Sequence, residues 1–264
     1  MDLLLLFKAL LLGAVEGLTE FLPVSSTGHL IITGDWLDFT GEHAKSFEIV
    51  IQLGAILGVV WHYRRKLWEL VMGIHEKAAQ RFWLNLIIAF LPAAIAGVAL
   101  HTQIKTYLFN PRAVAGALIV GGFLILLIER SARPTRVQTL EQLSALDALK
   151  VGIAQMASLF PGVSRAGATI MGGLLAGLSR TTATEFSFFL AIPTMFAATV
   201  FELAQNPGIL SAEHFTMFAV GFVTAFITAV IVVRAFLVYV SRHNFTPFAY
   251  YRIVFGLLVL VHFS

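Results

Sequence analysis

The sequence predicts an all-α integral membrane protein with inverted-topology repeats, about six spanning helices and two re-entrant helical hairpins. Three observations carry this. Of 264 residues, 58% are hydrophobic and 12% charged, against roughly 25% charged in an ordinary soluble domain. Runs free of Asp, Glu, Lys and Arg recur at lengths that, with their flanks, approach the about 20 residues a spanning helix needs. The second half of the chain also repeats short motifs of the first, in the same order.

Taken in order, the N-terminal MDLLLLFKALLLGAVEG resembles a signal peptide in greasiness only. Lys8 sits inside the apolar run and no small-residue cleavage site follows before Glu16, so it is read as part of the mature fold. Pro23 then breaks the segment. A first span near 46–63 carries Glu48 and Gln52 at its head, and charge-free runs follow at 82–104 and 113–128. The stretches 151–164 and 166–179 are shorter and are broken by Pro161-Gly162 and Arg165, which suits a re-entrant hairpin. Runs at 186–201, 215–233 and 253–263 complete the set. Trp61, Trp68 and Trp83 near span ends suit an interfacial belt. With no cysteine, disulfides and thiolate chemistry are excluded.

Sliding the chain by 139 residues places Gly13 on Gly152, Phe21 on Phe160, Val24 on Val163, Ser25 on Ser164, Gly28 on Gly167 and Phe47 on Phe186. One further residue of slip matches Arg112 to Arg252 and Gly116 to Gly256. The chain therefore divides into a first repeat, 1–135, and a second, 140–264, within one membrane domain. Lys and Arg concentrate in 64–81, 129–150 and 234–252, which the positive-inside rule makes cytoplasmic, whereas 31–46, 102–112 and 204–214 are poor in them. The span near 46–63 then runs inward and its partner near 185–203 outward, so the repeats are inverted. Such repeats bring broken-helix ends together near the midplane.

EGLTEFLPVSSTGHL, Glu16 to Leu30, is the polar centre of the first repeat. Glu16 and Glu20, four apart, share a helix face, and each ionised carboxylate costs roughly 2.5–3.5 kcal/mol at the bilayer centre. A cation, a retained proton or a solvated place at a helix end must account for them. After Pro23, Ser25, Ser26, Thr27 and Gly28 suit the start of a new helix, whose free N–H groups form an anion cradle. His29 lies three residues past Ser26 on the same face and titrates in the range for proton transfer, although a histidine there also serves as a packing residue. In the second repeat, FPGVSRAGAT puts Arg165 where Ser26 stood, a guanidinium suited to bidentate phosphate binding. Two Glu without Cys suit a hard divalent cation, Mg²⁺ or Ca²⁺, bridging carboxylates to phosphate. Glu48, Gln52, Glu185 and Ser187 are candidates to line or brace the cavity.

These two motifs, together with FEIVIQLGAIL at 47–57 and SRTTATEFSFFLAIP at 179–193, resemble the bacterial undecaprenyl-pyrophosphate phosphatases of the bacitracin-resistance type over essentially the whole chain. The resemblance implies a multi-pass protein of the bacterial plasma (inner) membrane. It would hydrolyse undecaprenyl diphosphate to undecaprenyl phosphate and inorganic phosphate at the outer, periplasmic face, with a divalent cation. It further implies that Glu16 and Glu20 manage metal or proton, and that Arg165 and Ser164, with Ser25, Thr27 and Gly167, hold the diphosphate. Ser26 is implied as nucleophile or as positioner of an attacking water, with His29 assisting. The family's usual Ser-Arg-Ser-Gly reads Ser-Arg-Ala-Gly here, so Ala166 removes one hydroxyl. Expected partners are the polyprenyl diphosphate and the bilayer, without nucleic acid; a homodimer is left open. A transporter or flippase of the same carrier lipid is the alternative, since inverted repeats also build transporters.

Overall fold

The computed structural model describes residues 3–108, 110–131, 134–205 and 215–263. The loop expected at 204–214 lies almost wholly outside these, as does Arg133. Eleven α-helices account for most of the described chain: α1 (Leu3–Thr19), α2 (Ser26–Trp36), α3 (Glu42–His62), α4 (Arg64–Met72), α5 (Lys77–Tyr107), α6 (Pro111–Arg130), α7 (Ala145–Gln155), α8 (Arg165–Leu175), α9 (Arg180–Gln205), α10 (Phe215–Val240) and α11 (Thr246–His262). Five of them, α3, α5, α6, α9 and α10, are long and apolar enough to cross a membrane, and α11 is a shorter apolar helix of 17 residues. At 1.5 Å per residue α11 extends about 26 Å, close to the hydrocarbon thickness.

The two hairpins enter from opposite ends. α1 and α2 are joined by a tight turn over 20–25, and their open ends lie with the C-terminus of α11, where His262 Nε2 is 2.8 Å from Asp35 Oδ2. α7 and α8 are joined over 156–164, and the start of α7 lies at the other end of the bundle. There Asp147 accepts from Arg136, Arg81 donates to the Leu143 carbonyl at 2.9 Å, and Lys66 pairs with Glu141 at 3.6 Å. At that same end Glu129, at the close of α6, accepts from Arg180 and from the Phe245 amide. Each hairpin thus reaches partway in, and the tips meet: Ser164 Oγ donates to the Leu22 carbonyl at 3.4 Å.

Small residues let the elements that hold these tips approach closely. A Cβ on Gly13 would stand 2.5 Å from the Gly221 carbonyl oxygen of α10, and one on Gly17 would enter Ala225 and Thr228 of the same helix. The second hairpin is packed the same way: a Cβ on Gly152 of α7 would stand 2.5 Å from the Ala89 oxygen of α5. Backbone-to-backbone approach of this kind is how helices associate where lipid removes the hydrophobic drive. Outward, α5 exposes Leu84, Ile87, Leu91, Ile95 and Val98, spaced as one helical face, which is a lipid-facing stripe.

Three expectations need correction. Arg252 was counted among cytoplasmic loop cations, yet it lies inside α11 with 1% of its surface exposed. Arg234 likewise belongs to α10 and not to a loop. Trp61 and Trp68 are exposed at the end of α3 and on α4, as an interfacial belt requires, but Trp83 is half-buried and donates to the Leu70 carbonyl at 3.2 Å.

Gly17→Val should overpack the seam between α1 and α10 by about 1–3 kcal/mol. That is expected as a lowered thermal unfolding midpoint in detergent, whereas Ile95→Val on the lipid stripe should lie within about 0.5 kcal/mol of the parent.

Candidate active site

Both breaks begin their second helix with a serine in the left-handed region. Ser25 has φ 72° and Ser164 φ 74°, conformations that non-glycine residues rarely adopt. Each strained serine turns the chain so that the next residue, Ser26 in one hairpin and Arg165 in the other, opens a helix pointing its N-terminus into the protein. Ser164 caps its own helix, its Oγ accepting from the Gly167 amide at 3.0 Å, while Ser25 makes no side-chain cap.

The polar cluster lies between these ends. Ser26 Oγ donates a short hydrogen bond to Glu20 Oε2. On the other carboxylate oxygen, Arg165 Nη2 donates to Glu20 Oε1 at 3.2 Å. Glu20 thus joins a hydroxyl from the first hairpin to a guanidinium from the second. Arg165 is held from behind: Nη1 donates to the Ser187 carbonyl at 3.1 Å, Nη2 touches Met195 Sδ at 3.2 Å, and the Phe21 ring lies 5.6 Å from its guanidinium carbon. Thr169 supports this arrangement, hydrogen-bonded to Ser187 Oγ at 2.6 Å and donating to the Arg165 carbonyl at 2.9 Å. Glu16, one turn before Glu20, is fully buried, and among the described residues its Oε1 has no hydrogen-bond partner. The charges acting on Glu16 are those of Glu20, Glu48 and Arg165. A carboxylate pair near the C-terminus of α1 is disfavoured by the helix dipole, so the facing guanidinium is electrostatically required.

Of the residues expected at a site, Glu16, Glu20, Ser26 and Arg165 converge, with Ser187 behind the arginine and Glu48 bordering from α3. His29 is turned elsewhere. Its Nδ1 lies 2.7 Å from the Ser25 carbonyl and its Nε2 2.6 Å from the Tyr251 hydroxyl, with Phe255 stacked on the ring at 4.1 Å. A carbonyl only accepts, so Nδ1 carries the proton and Nε2 accepts from Tyr251. Both nitrogens are used, and neither reaches Ser26. Ser25 is thereby held by its carbonyl, Thr27 is half-buried beside it, and Gly167 gives its amide to Ser164. Gln52 is half-buried one turn along α3 from Glu48. Glu185 does not join the cluster; Lys66 and Glu141 are the charges acting on it. Sequence reasoning missed Thr169, Met195 and Tyr251, and it misplaced Arg252. A polar residue inside the apolar α11 was the available signal for the last two.

A multi-pass membrane protein in which two opposed hairpins bring a serine, a carboxylate pair and an arginine together is thus defined by fold and site. The chain belongs to the family described as Bacitracin resistance protein BacA, which matches residues 9–258. It is 58% identical over 261 residues to the undecaprenyl-diphosphatase of Dechloromonas aromatica (strain RCB), covering 98% of this chain and 95% of that protein. It is 54% identical over 268 residues to the one of Methylobacillus flagellatus, with complete coverage of both. The undecaprenyl-diphosphatase of Laribacter hongkongensis is 55% identical across 98% of this chain and 96% of its own length.

Tyr251→Phe removes only a hydroxyl that faces His29, away from Ser26. Turnover is expected to fall by less than about tenfold, with an unchanged pH profile, where loss of a general base would cost roughly 10²–10⁴-fold. Steady-state rates across pH check this.

Proposed function

We propose that this protein is an undecaprenyl-diphosphate phosphatase, releasing the terminal phosphate of the C55 carrier to leave undecaprenyl phosphate. The observation that carries the mechanism is the hydrogen bond from Ser26 to Glu20, because it pairs a nucleophile with a base. Three relatives bearing that enzyme name, each over nearly the full chain, support the substrate.

Glu20 takes the Ser26 proton as Oγ attacks the terminal phosphorus. The new bond is Oγ–P, and the anhydride P–O bond breaks in line, releasing undecaprenyl phosphate. Glu20 gives that proton to the departing undecaprenyl phosphate; ionised again, it takes a proton from the water that attacks the phosphoserine and returns it to Ser26 Oγ as the Oγ–P bond breaks and inorganic phosphate leaves. Arg165 moves from Glu20 to the phosphoryl oxygens, where its fork neutralises charge that develops in the transition state. Unsatisfied amides in the first turn of α2, beginning at Ser26 with Thr27, add to that cradle, and Ser25 and Ser164 hold the two turns that present it.

Glu16 and Glu20 fit a divalent cation, Mg²⁺ or Ca²⁺. The buried Glu16 Oε1 lacks a protein partner among the described residues, and one guanidinium facing two carboxylates leaves no positive charge to match a diphosphate. Held by these carboxylates, a divalent cation would supply that charge and Lewis-acid polarisation of the phosphate. No group of three His, Cys, Asp or Glu suited to a metal occurs among the described residues, so Glu16 and Glu20 would hold the ion without a third such side chain.

The two halves are read as inverted repeats in the bacterial inner membrane with the site opening outward. Support comes from the opposed hairpins and from Lys66, Arg81, Arg136 and Arg180 gathering at the end where α7 starts.

Protein in detergent should release phosphate from undecaprenyl diphosphate without any membrane gradient, stop on chelation and resume with Mg²⁺ or Ca²⁺. Ser26→Ala and Arg165→Ala should each lower kcat by about 10²–10⁴-fold; Ser26→Ala should keep the parent's unfolding midpoint, whereas Arg165→Ala should lower it, because it leaves the buried Glu20 carboxylate without its guanidinium. Release by Ser26→Ala at the parent rate would contradict the mechanism.

A further inference from the structure

Among the described residues, the cation with the least exposed surface has no part in the chemistry above. Arg252, in the middle of α11, is 1% exposed, and no carboxylate is among its partners. All its acceptors are main-chain carbonyls. Nε donates to Leu118 O at 3.3 Å; Nη1 donates to Pro23 O at 3.2 Å and Val163 O at 2.8 Å; Nη2 donates to Ala117 O at 3.1 Å and Gly162 O at 3.0 Å. A guanidinium has five N–H groups in a fixed planar fork, and here each has one carbonyl.

The choice of carbonyls matters. Ala117 and Leu118 belong to α6, which packs along α11. Pro23 lies in the break of the first hairpin, three residues before Ser26, and Gly162 and Val163 lie in the break of the second, just before Ser164 and Arg165. One nitrogen, Nη1, holds a carbonyl from each break. The fold also makes room for the group. A Cβ on Gly121 of α6 would run into Nη2, and one on Gly167 would stand 3.2 Å from Nη1. The repeat counterpart Arg112 sits at the start of α6 and is exposed, so the device exists once.

We propose that Arg252 is a positioning residue. Its fork fixes the distance and angle between the two helix breaks, so that the Ser26–Glu20 pair on one faces Arg165 on the other. This rests on the phosphatase reading above. A flat fork is required for the task, because an ammonium has three donors in a tetrahedral array and cannot hold five carbonyls in a plane. The hydrophobic contacts of the hairpins with α10 and α5 remain without it, so its loss loosens the register of the tips while the bundle stands.

The test uses Arg252→Lys and Gly121→Ala in full-length protein in detergent, each with two readouts. One is kcat and KM for undecaprenyl diphosphate. The other is the distance distribution between spin labels on Leu18→Cys and Phe160→Cys, two lipid-exposed positions flanking the two breaks; the chain has no cysteine of its own, so labelling is selective. Misplacement of reacting groups by about 1 Å costs on the order of 100-fold. The expected result is a kcat lowered by about 10- to 100-fold with KM within about threefold, together with a broadened or shifted distance distribution. On a Ser26→Ala background Arg252→Lys should lower the residual rate no further. A folded Arg252→Lys with the parent kcat overturns the proposal, as does a fall in kcat with the distance distribution unchanged. Loss of the folded protein in both variants also overturns it, since Arg252 would then serve folding alone. If the parent itself releases no phosphate while the labels still respond to Arg252→Lys, the phosphatase reading fails and the register lock stands.

Discussion

Two helices stop in the middle of this protein, and the main-chain groups exposed at those stops must be satisfied without bulk water. In lipid an unpaired carbonyl or amide costs several kcal/mol, so broken helices persist only where protein supplies the partners. Here the two sides of each break are treated differently. The carbonyls of Pro23, Gly162 and Val163 are consumed by the Arg252 guanidinium. The helix N-termini beyond them, at Ser26 and Arg165, are turned inward by serines in a strained conformation. One buried cation thus holds the backs of the breaks while their fronts form the site.

The site draws its chemistry from both breaks. Just past one stands Ser26 and just past the other Arg165, and the two deliver a hydroxyl and a guanidinium to opposite oxygens of a single carboxylate. Arg165 and Glu20 hold each other in register before substrate arrives, and the support behind the arginine, through Ser187 and Thr169, fixes the fork it presents. In the proposed reaction the carboxylate already holds its serine, and what remains is for the Arg165 fork to pass from Glu20 to the phosphoryl oxygens.

Much of the fold was legible because bilayer thickness imposes a length on apolar runs, and because Pro23 and Pro161-Gly162 mark breaks that composition alone exposes. The clustering of Glu16, Glu20, Ser26 and Arg165 was also legible, since charged groups within apolar sequence need one another. What failed to show did so for identifiable reasons. His29 shares a helical face with Ser26 by spacing, yet its ring is claimed by Tyr251, 222 residues away in the chain. Glu185 lies two positions from Ser187, but about 100° per residue of helical turn sends the two side chains to different neighbours. Arg252 sits close enough to the start of an apolar run to pass for a loop cation; its role depends on carbonyls from segments that only the folded chain brings together.

Attack on phosphorus by Ser26, with Glu20 as base, would leave a phosphoserine between the two half-reactions. Rapid acid quench of the enzyme turning over undecaprenyl diphosphate labelled in its terminal phosphate, followed by peptide mapping, would trap it. Transient label is expected on the peptide containing Ser26 and absent from the Ser26→Ala protein. Full turnover with no protein-bound label at any quench time would contradict it and assign the attack to water.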